Sequence, residues 1–395
     1  MTRFLHTSDW QLGMTRHFLL PEAQARFTQD RIDAIRKIGE LAGARSIEFV
    51  VVAGDVFESN QVAPQTVLRA LEALATIPTP VFLLPANHDP LDSASVYRSR
   101  TFVDKKPENV HVIESSEPLA VPGVDGVEVL GVPWHSKRQL TDTVARETAL
   151  LEPRPAGTVC VMLAHGGIDT LSPDPEAPDL IDLASAEAAI RDGRIHYLAL
   201  GDRHSTTDLG ETGAIWYSGT HVATSFRDEN PGNILAVEIA NDHSVSVEVL
   251  PVDETAAWRF VDQKFDLTGL DDVEAVNTFL HEQPDKVRTI VRVALAGQLS
   301  ISAAARLDEI IEEFGDHFAS LRKWERRMDL AILPDQMDAD ELGLAGYARE
   351  TWDELAASAT GSGEEGRTAT QSLALLYRLA RNPEADASGA ERTSS

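Results

Sequence analysis

Apolar residues in the first half of the chain fall into short unbroken runs, and each run stops abruptly at polar residues. Phe49-Val50-Val51-Val52-Ala53 ends at Gly54-Asp55, Phe4-Leu5 leads through His6-Thr7-Ser8 to Asp9, and Val81-Phe82-Leu83-Leu84 leads to Asn87-His88-Asp89. Val159 to Ala164 ends at His165, and Tyr197-Leu198-Ala199-Leu200 ends at Gly201-Asp202-Arg203-His204. Runs of this kind, without alternation, predict strands buried on both faces. Between the early runs the spacing turns helical, with Ile32, Ile35, Ile38 and Ala42 ahead of Gly43, and Leu68, Leu71 and Ala75 ahead of Pro78 and Pro80. Strand and helix in alternation predict parallel pairing, and the polar residues then gather at the C-terminal strand ends, where open α/β sheets hold their ligands. An isolated Gly-Asp merely turns a chain; the repetition of such endings is what carries the argument.

Farther along the elements shorten, with a helix expected over 95–103 and strands over 110–113 and 127–132. The Pro- and Asp-rich stretch 171–182 reads as a surface loop overhanging the site, since it follows His165. After His204, strands over 214–218, 233–240 and 244–252 follow one another without helices, which predicts hairpins and an antiparallel second sheet. Beyond a boundary near Asp253, a helix over 271–281, a strand over 287–296 and a helix over 303–314 predict a smaller α+β unit. Gly361 to Gly366 has the composition of a flexible linker. Leu373, Leu376, Tyr377 and Ala380 then mark one apolar face of a terminal helix, and the tail after Pro383 reads as disordered.

Composition narrows the class. At 395 residues and 43% hydrophobic content, the chain exceeds one ordinary core and predicts two domains. No apolar run reaches membrane-spanning length, and the N-terminus enters a strand at Arg3 without a basic, apolar leader, so a soluble cytoplasmic protein is expected. Cys160 is the only cysteine and lies in a core run, which excludes an intramolecular disulfide and a cysteine-based metal site. The formal net charge of -28 argues against broad affinity for phosphate backbones. It leaves room for local basic sites, of which Leu321 to Arg327 is the densest, with Lys105-Lys106 and Lys137-Arg138 as smaller ones. Carboxylate, amide oxygen and imidazole together suit Mn, Fe or Zn, and an Asp-rich set leans toward harder ions.

Asp9, Gly54-Asp55, Asn87-His88-Asp89, His165 and Gly201-x-x-His204, in this order, resemble the calcineurin-like metallophosphoesterases. More narrowly, His6-Thr7-Ser8-Asp9-Trp10 with Leu12-Gly13, Asp55-Val56-Phe57, Tyr217-Ser218-Gly219-Thr220 and Ser225-Phe226 are similar to the SbcD nuclease subunits of bacterial SbcCD complexes. The likeness covers most of residues 1–250; beyond 253 it rests on layout alone. It implies an α/β (α+β) fold, a four-layer β-sandwich flanked by helices over 1–252, followed by a capping, DNA-binding domain over 253–357. A linker over 358–367, a partner-binding helix over 368–381 and a disordered tail over 382–395 complete the implied layout.

The resemblance also implies two divalent ions, with Mn²⁺ expected. Asp9, Gln11, Asp55 and His204 would hold one, and Asp55, Asn87, His165 and Asp202 the other, with Asp55 shared. His88 would lie off the metals as proton donor or charge stabiliser, Glu58 is a candidate orienter of His88, and His221 a candidate substrate contact. The implied partners are DNA, a second copy of the chain, and an SbcC-like coiled-coil ATPase docked on Leu373, Leu376, Tyr377 and Ala380. Two positions depart from the family pattern. Asp9-Trp10-Gln11 stands for Asp-x-His, and Gly201-Asp202-Arg203-His204 for Gly-His-x-His. Two imidazole nitrogens become two oxygens, and three carboxylates in place of two leave the ions weaker Lewis acids. Three function classes follow: a DNA nuclease subunit, a phosphodiesterase for small nucleotides or phospholipids, and a catalytically impaired DNA-end or ATPase adaptor. The region after 253 and its terminal helix favour the first, because a small-molecule phosphodiesterase needs neither.

Overall fold

The β-branched and aromatic runs do become buried strands, and most of those that pair in parallel are separated by helices that cross a sheet. A computed structural model describes residues 1–253, 257–333, 342–361 and 363–381. Its contacts divide the chain into a unit spanning Met1–Trp258 and another beginning at Arg259. In the first unit, β1 (Thr2–Thr7), β2 (Phe49–Val52), β3 (Val81–Leu83) and β4 (Val110–Val112) pair in parallel through α1 (Pro21–Ala44), α2 (Pro64–Leu74) and α3 (Arg100–Lys105). A second sheet holds β6 (Val127–Gly131), β7 (Val159–His165), β8 (Tyr197–Gly201) and β10 (Ile215–Tyr217) in parallel, with β5 (Leu119–Ala120) and β9 (Thr207–Leu209) antiparallel at its edges. Two short helices missed by periodicity, α4 (Thr143–Ala149) and α5 (Leu183–Arg191), start at Asp142 and Asp182, whose carboxylates accept from Ala145 N and Ser185 N.

The strands after His204 do not build an antiparallel sheet of their own. β9 and β10 extend the second sheet, whereas β11 (Asn233–Ile239) and β12 (Val245–Pro251) form a hairpin that returns to the first sheet, antiparallel to β1, with Phe4 opposite Val237. The hairpin pairs what would otherwise be an open edge of β1 and adds Leu235, Val237 and Ile239 to the core. That core lies between the sheets, joining Phe4, Phe49, Val51 and Phe82 to Val161, Leu163 and Tyr197. The Phe4 ring stacks on Phe49 at 4.9 Å and meets Tyr197 edge-on at 5.3 Å. The other face of the second sheet, including Met162 and Leu198, packs against Val144, Ala186 and Ala189 of α4 and α5. His6 is buried and bridges the sheets through Tyr197 Oη at 3.1 Å and the Leu200 carbonyl at 3.2 Å. Burial holds its pKa down at about 3.

The chain remains in the first unit past the expected boundary at 253, since Trp258 is buried there and its indole donates to Asp30 at 2.8 Å. The second unit alternates β13 (Arg259–Leu267), α6 (Leu270–Glu282), β14 (Thr289–Ser300), α7 (Ile301–Gly315) and β15 (Ser320–Lys323), followed by β16 (Asp329–Leu333). All its pairings are parallel and centre on β14. The basic run forms β15 and the turn after it, where the Trp324 ring has the Arg292 guanidinium at 3.6 Å and that of Arg327 at 4.5 Å.

A correction falls on the C-terminal segment. Of the residues expected as a flexible linker over 358–367, the first two end α8 (Tyr347–Ala359) and those from Glu364 begin α9 (Glu364–Arg381), while Ser362 lies outside the described residues. Leu373, assigned to a partner surface, is fully buried against Ile301, Ala305 and Trp352 of its own unit, and Leu376 packs at the edge of that cluster. Two residues of that face thus pack within the chain, against the apolar surface of α7 and α8. Ala380 is half-buried; the Tyr377 side chain and residues 382–395 lie outside the described residues. Among the described residues no helix is long and apolar enough to cross a membrane.

Candidate metal centre

Five strand ends deliver the polar residues to one edge of the sandwich. Asp9 follows β1, Asp55 follows β2, Asn87 and His88 follow β3, His165 closes β7, and Asp202 and His204 follow β8. Ligand-type atoms of Asp9, Asp55 and His165, all buried, lie within 4.8 Å of one another. His165 Nε2 is 3.5 Å from Asp55 Oδ1 and 3.7 Å from Asp202 Oδ1, while His204 Nε2 is 4.0 Å from Asp9 Oδ1. His88 Nε2 faces Asp55 Oδ2 at 3.8 Å.

The backbone is bent to make this possible. Asp9, Gln11 and Asp55 have φ of 55°, 41° and 54°, and Asp202 has 102°, conformations that L residues adopt rarely and that cluster at functional sites. The turns hold one another: Asp9 N donates to the Gly54 carbonyl at 3.1 Å, Gln11 N to that of Asp55 at 2.8 Å, and Asp202 N to both Asp9 carboxylate oxygens at 3.1 and 3.2 Å. Gly54 and Gly201 leave room for the His165 ring, because a Cβ on Gly54 would overlap Nδ1 and one on Gly201 would come within 2.8 Å of it. His165 Nδ1 bonds the Ala53 carbonyl at 2.9 Å, so its proton sits there and Nε2 points into the group.

Crowded carboxylates dominate the electrostatics. Burial pushes the Asp55 carboxyl up to about 7, with Asp9 and Asp89 adding to it against the pull of His165. Burial opposes charge on His165, yet Asp55, Asp9 and Asp202 together outweigh it and raise the ring to about 9. Asp202 is also pushed up, by burial and by Asp9. His88 is raised because Asp55 and its bond to the Glu58 carbonyl outweigh its own desolvation.

The donor set fits divalent cations. Gln11 Oε1, Asn87 Oδ1 and His165 Nε2 are each buried without a hydrogen-bond partner. An unpaired buried polar atom costs about 1–3 kcal/mol, and all three are ligand atoms for a cation. Carboxylate and amide oxygens with imidazole nitrogen form an N/O set of the kind that binds Mn, Fe or Zn.

Other candidates take different parts. Glu58 meets His88 through its backbone, His88 Nδ1 donating to the Glu58 carbonyl at 2.9 Å, while its carboxylate adds only its charge. His221, the candidate substrate contact, is 1% exposed, and its Nε2 bonds the Arg31 carbonyl at 3.0 Å. Trp10 is packing, fully buried with its indole on Thr7 Oγ1 at 2.9 Å. Sequence reasoning assigned no role to Asp89, which locks the His88 loop by accepting from Phe57 N at 2.9 Å, Ala86 N at 3.0 Å and Tyr97 Oη at 2.7 Å. It also missed Trp134, whose indole donates to the His165 carbonyl at 3.0 Å. Only the nearness of Asp89 to His88 was visible beforehand; Trp134 and its partner are far apart in sequence.

With this geometry the chain is matched over residues 2–205 by the calcineurin-like phosphoesterase family, and it belongs to that family. The DNA double-strand break repair protein Mre11 of Archaeoglobus fulgidus is 29% identical over 176 residues, 40% of this chain and 38% of that protein. The SbcD component of the nuclease SbcCD of Bacillus subtilis is 27% identical over 136 residues, 33% of this chain and 32% of that one. The chain thus matches only about a third of the length of each relative. Among solved structures, a dimetal phosphatase from Danio rerio is similar with a TM-score of 0.41 and 9% identity, covering 64% of this chain and 97% of that one.

Proposed function

We propose that this phosphoesterase is a DNA nuclease subunit that works in repair with an SbcC-like coiled-coil ATPase and uses two Mn²⁺ ions. The observation that carries the reading is His88, whose Nε2 stands 3.8 Å from Asp55 Oδ2 at the edge of the buried ligand group. Its side chain is 34% exposed, against 3% for Asp55, so an incoming phosphodiester can reach it. Likeness to Mre11 and to the SbcD component of SbcCD supports DNA as the substrate.

Asp9, Gln11, Asp55 and His204 would hold one ion and Asp55, Asn87, His165 and Asp202 the other. When bound, such a pair supplies Lewis-acid polarisation of the phosphoryl group and lowers the pKa of water. The chain's own work is arrangement and proton supply. With Nδ1 tied to the Glu58 carbonyl, His88 in its cationic form carries a second proton on Nε2. In that form the proton is available to the leaving oxygen. Asp89 keeps the loop carrying Asn87 and His88 in place.

The test is a comparison of kcat/KM, after Mn²⁺ reconstitution of the full chain, on linear duplex DNA, bis(p-nitrophenyl) phosphate and a cyclic nucleotide. Preference for DNA supports the reading. Preference for the small esters overturns it in favour of a small-molecule phosphodiesterase.

A further inference from the structure

The loop between β10 and β11 lies outside both sheets, yet it is bound tightly by side-chain to backbone bonds. Asp228, whose side chain is 4% exposed, accepts from Thr224 N at 2.7 Å, Ser225 N at 2.9 Å, Ser225 Oγ at 2.7 Å and Thr224 Oγ1 at 2.9 Å. Thr224 Oγ1 is also 2.6 Å from His204 Nδ1. A threonine hydroxyl has one proton, and here it goes to Asp228, so at His204 the oxygen accepts and Nδ1 carries the hydrogen. The second oxygen of Asp228, 3.7 Å from the same nitrogen, favours that arrangement. The neutral ring is left with its lone pair on Nε2, on the side of Asp9.

Two arginines clamp the loop from the other side. Arg16 Nη2 donates to the Thr224 carbonyl at 2.7 Å, and Arg31 Nη1 to the Val222 carbonyl at 3.2 Å. Arg31, 1% exposed, also bonds the Trp10 carbonyl through Nη2. Trp10 lies between Asp9 and Gln11, so one buried guanidinium ties the turn bearing two candidate ligands to the loop that holds a third.

We infer that Asp228, acting through the Thr224 hydroxyl, is a positioning residue that fixes the tautomer and orientation of His204, with Arg31 coupling this shell to the Asp9–Gln11 turn. The inference rests on the metal-centre reading above. Partners of this type around a ligating histidine are worth about 10- to 100-fold in metal affinity.

The experiment uses metal-stripped full chain labelled with ¹⁵N-histidine, His204 being assigned by the signal lost in His204→Gln, together with Mn²⁺ titrations. The Nδ1–H tautomer is expected in wild type. Thr224→Val and Asp228→Asn should give mixed tautomers and bind Mn²⁺ about 10- to 100-fold more weakly, and Thr224→Ser should restore both properties. An Nε2–H tautomer in wild type overturns the inference, and needs no variant to fold. So does unchanged Mn²⁺ affinity in Thr224→Val with a native unfolding midpoint. Wild type that shows the Nδ1–H tautomer yet binds no Mn²⁺ overturns the metal reading, and with it the role given to the shell.

Discussion

Metal binding at this site should release protons, and its affinity should climb steeply with pH. Without metal, the carboxylates of Asp55, Asp9 and Asp202 raise His165 to about 9, and Asp55 itself stands at about 7. A ligating imidazole must be neutral. A raised pKa means that the proton competes with metal up to a higher pH, so the loss is greatest in acid and vanishes above about 9. Near pH 7 the His165 proton lies about two units below its pKa, and its removal costs about 3 kcal/mol, or roughly 100-fold in apparent affinity. Calorimetric titration with Mn²⁺ near pH 7, in two buffers of different ionisation enthalpy, should report release of more than one proton, about one from His165 and a fraction of one from Asp55. Between about pH 6.5 and 8 the apparent affinity should rise at least tenfold per unit, more steeply toward the acid end where Asp55 is also protonated, and His165→Gln should reduce that slope while weakening binding. A wild-type affinity independent of pH, with no proton released, would refute the placement of His165 Nε2 among the ligands.

Other outcomes follow from the same geometry. His88→Ala should retain its metal and slow phosphodiester cleavage by about 10²- to 10⁴-fold; loss of metal, read by elemental analysis, would make His88 a ligand. Gly201→Ala should destabilise the fold by about 2–4 kcal/mol in urea titrations, because the added Cβ overlaps the Ala53 carbonyl that holds His165; an unchanged midpoint would contradict that packing. Gln11→His with Asp202→His should move preference from Mn²⁺ toward Zn²⁺ and lower the apparent pKa of the rate's alkaline rise. Superimposable pH–rate profiles would show that neither residue acts on the metals, and a variant active where wild type is inert would mark the native site as impaired.

The parallel strands and their polar ends were legible in the sequence because a buried strand imposes an unbroken apolar run and the chemistry must sit where the run stops. The destination of β11 and β12 was not, since successive strands announce a hairpin but not which sheet edge it closes. Leu373 shows a similar limit: an apolar helix face is the same in sequence whether it meets a partner or, as here, Trp352 of its own unit. His221 had the right residue type and the right motif beside it, yet its ring is turned into the protein toward Arg31. Asp89, Thr224, Asp228 and Arg31 escaped notice because their roles lie in hydrogen bonds to loops, and such bonds leave no periodicity. Glu58 meets His88 through a backbone carbonyl that any residue there would supply, and only its charge is particular to the side chain.

The central claim is that Asp55 joins both halves of a two-metal centre that cleaves DNA. Its most direct test measures cleavage of linear DNA by metal-stripped full chain, by the same protein restored with Mn²⁺, and by Asp55→Ala restored in the same way. Activity is expected only in restored wild type. Turnover by the stripped protein, or by Asp55→Ala at the wild-type rate, would contradict the account.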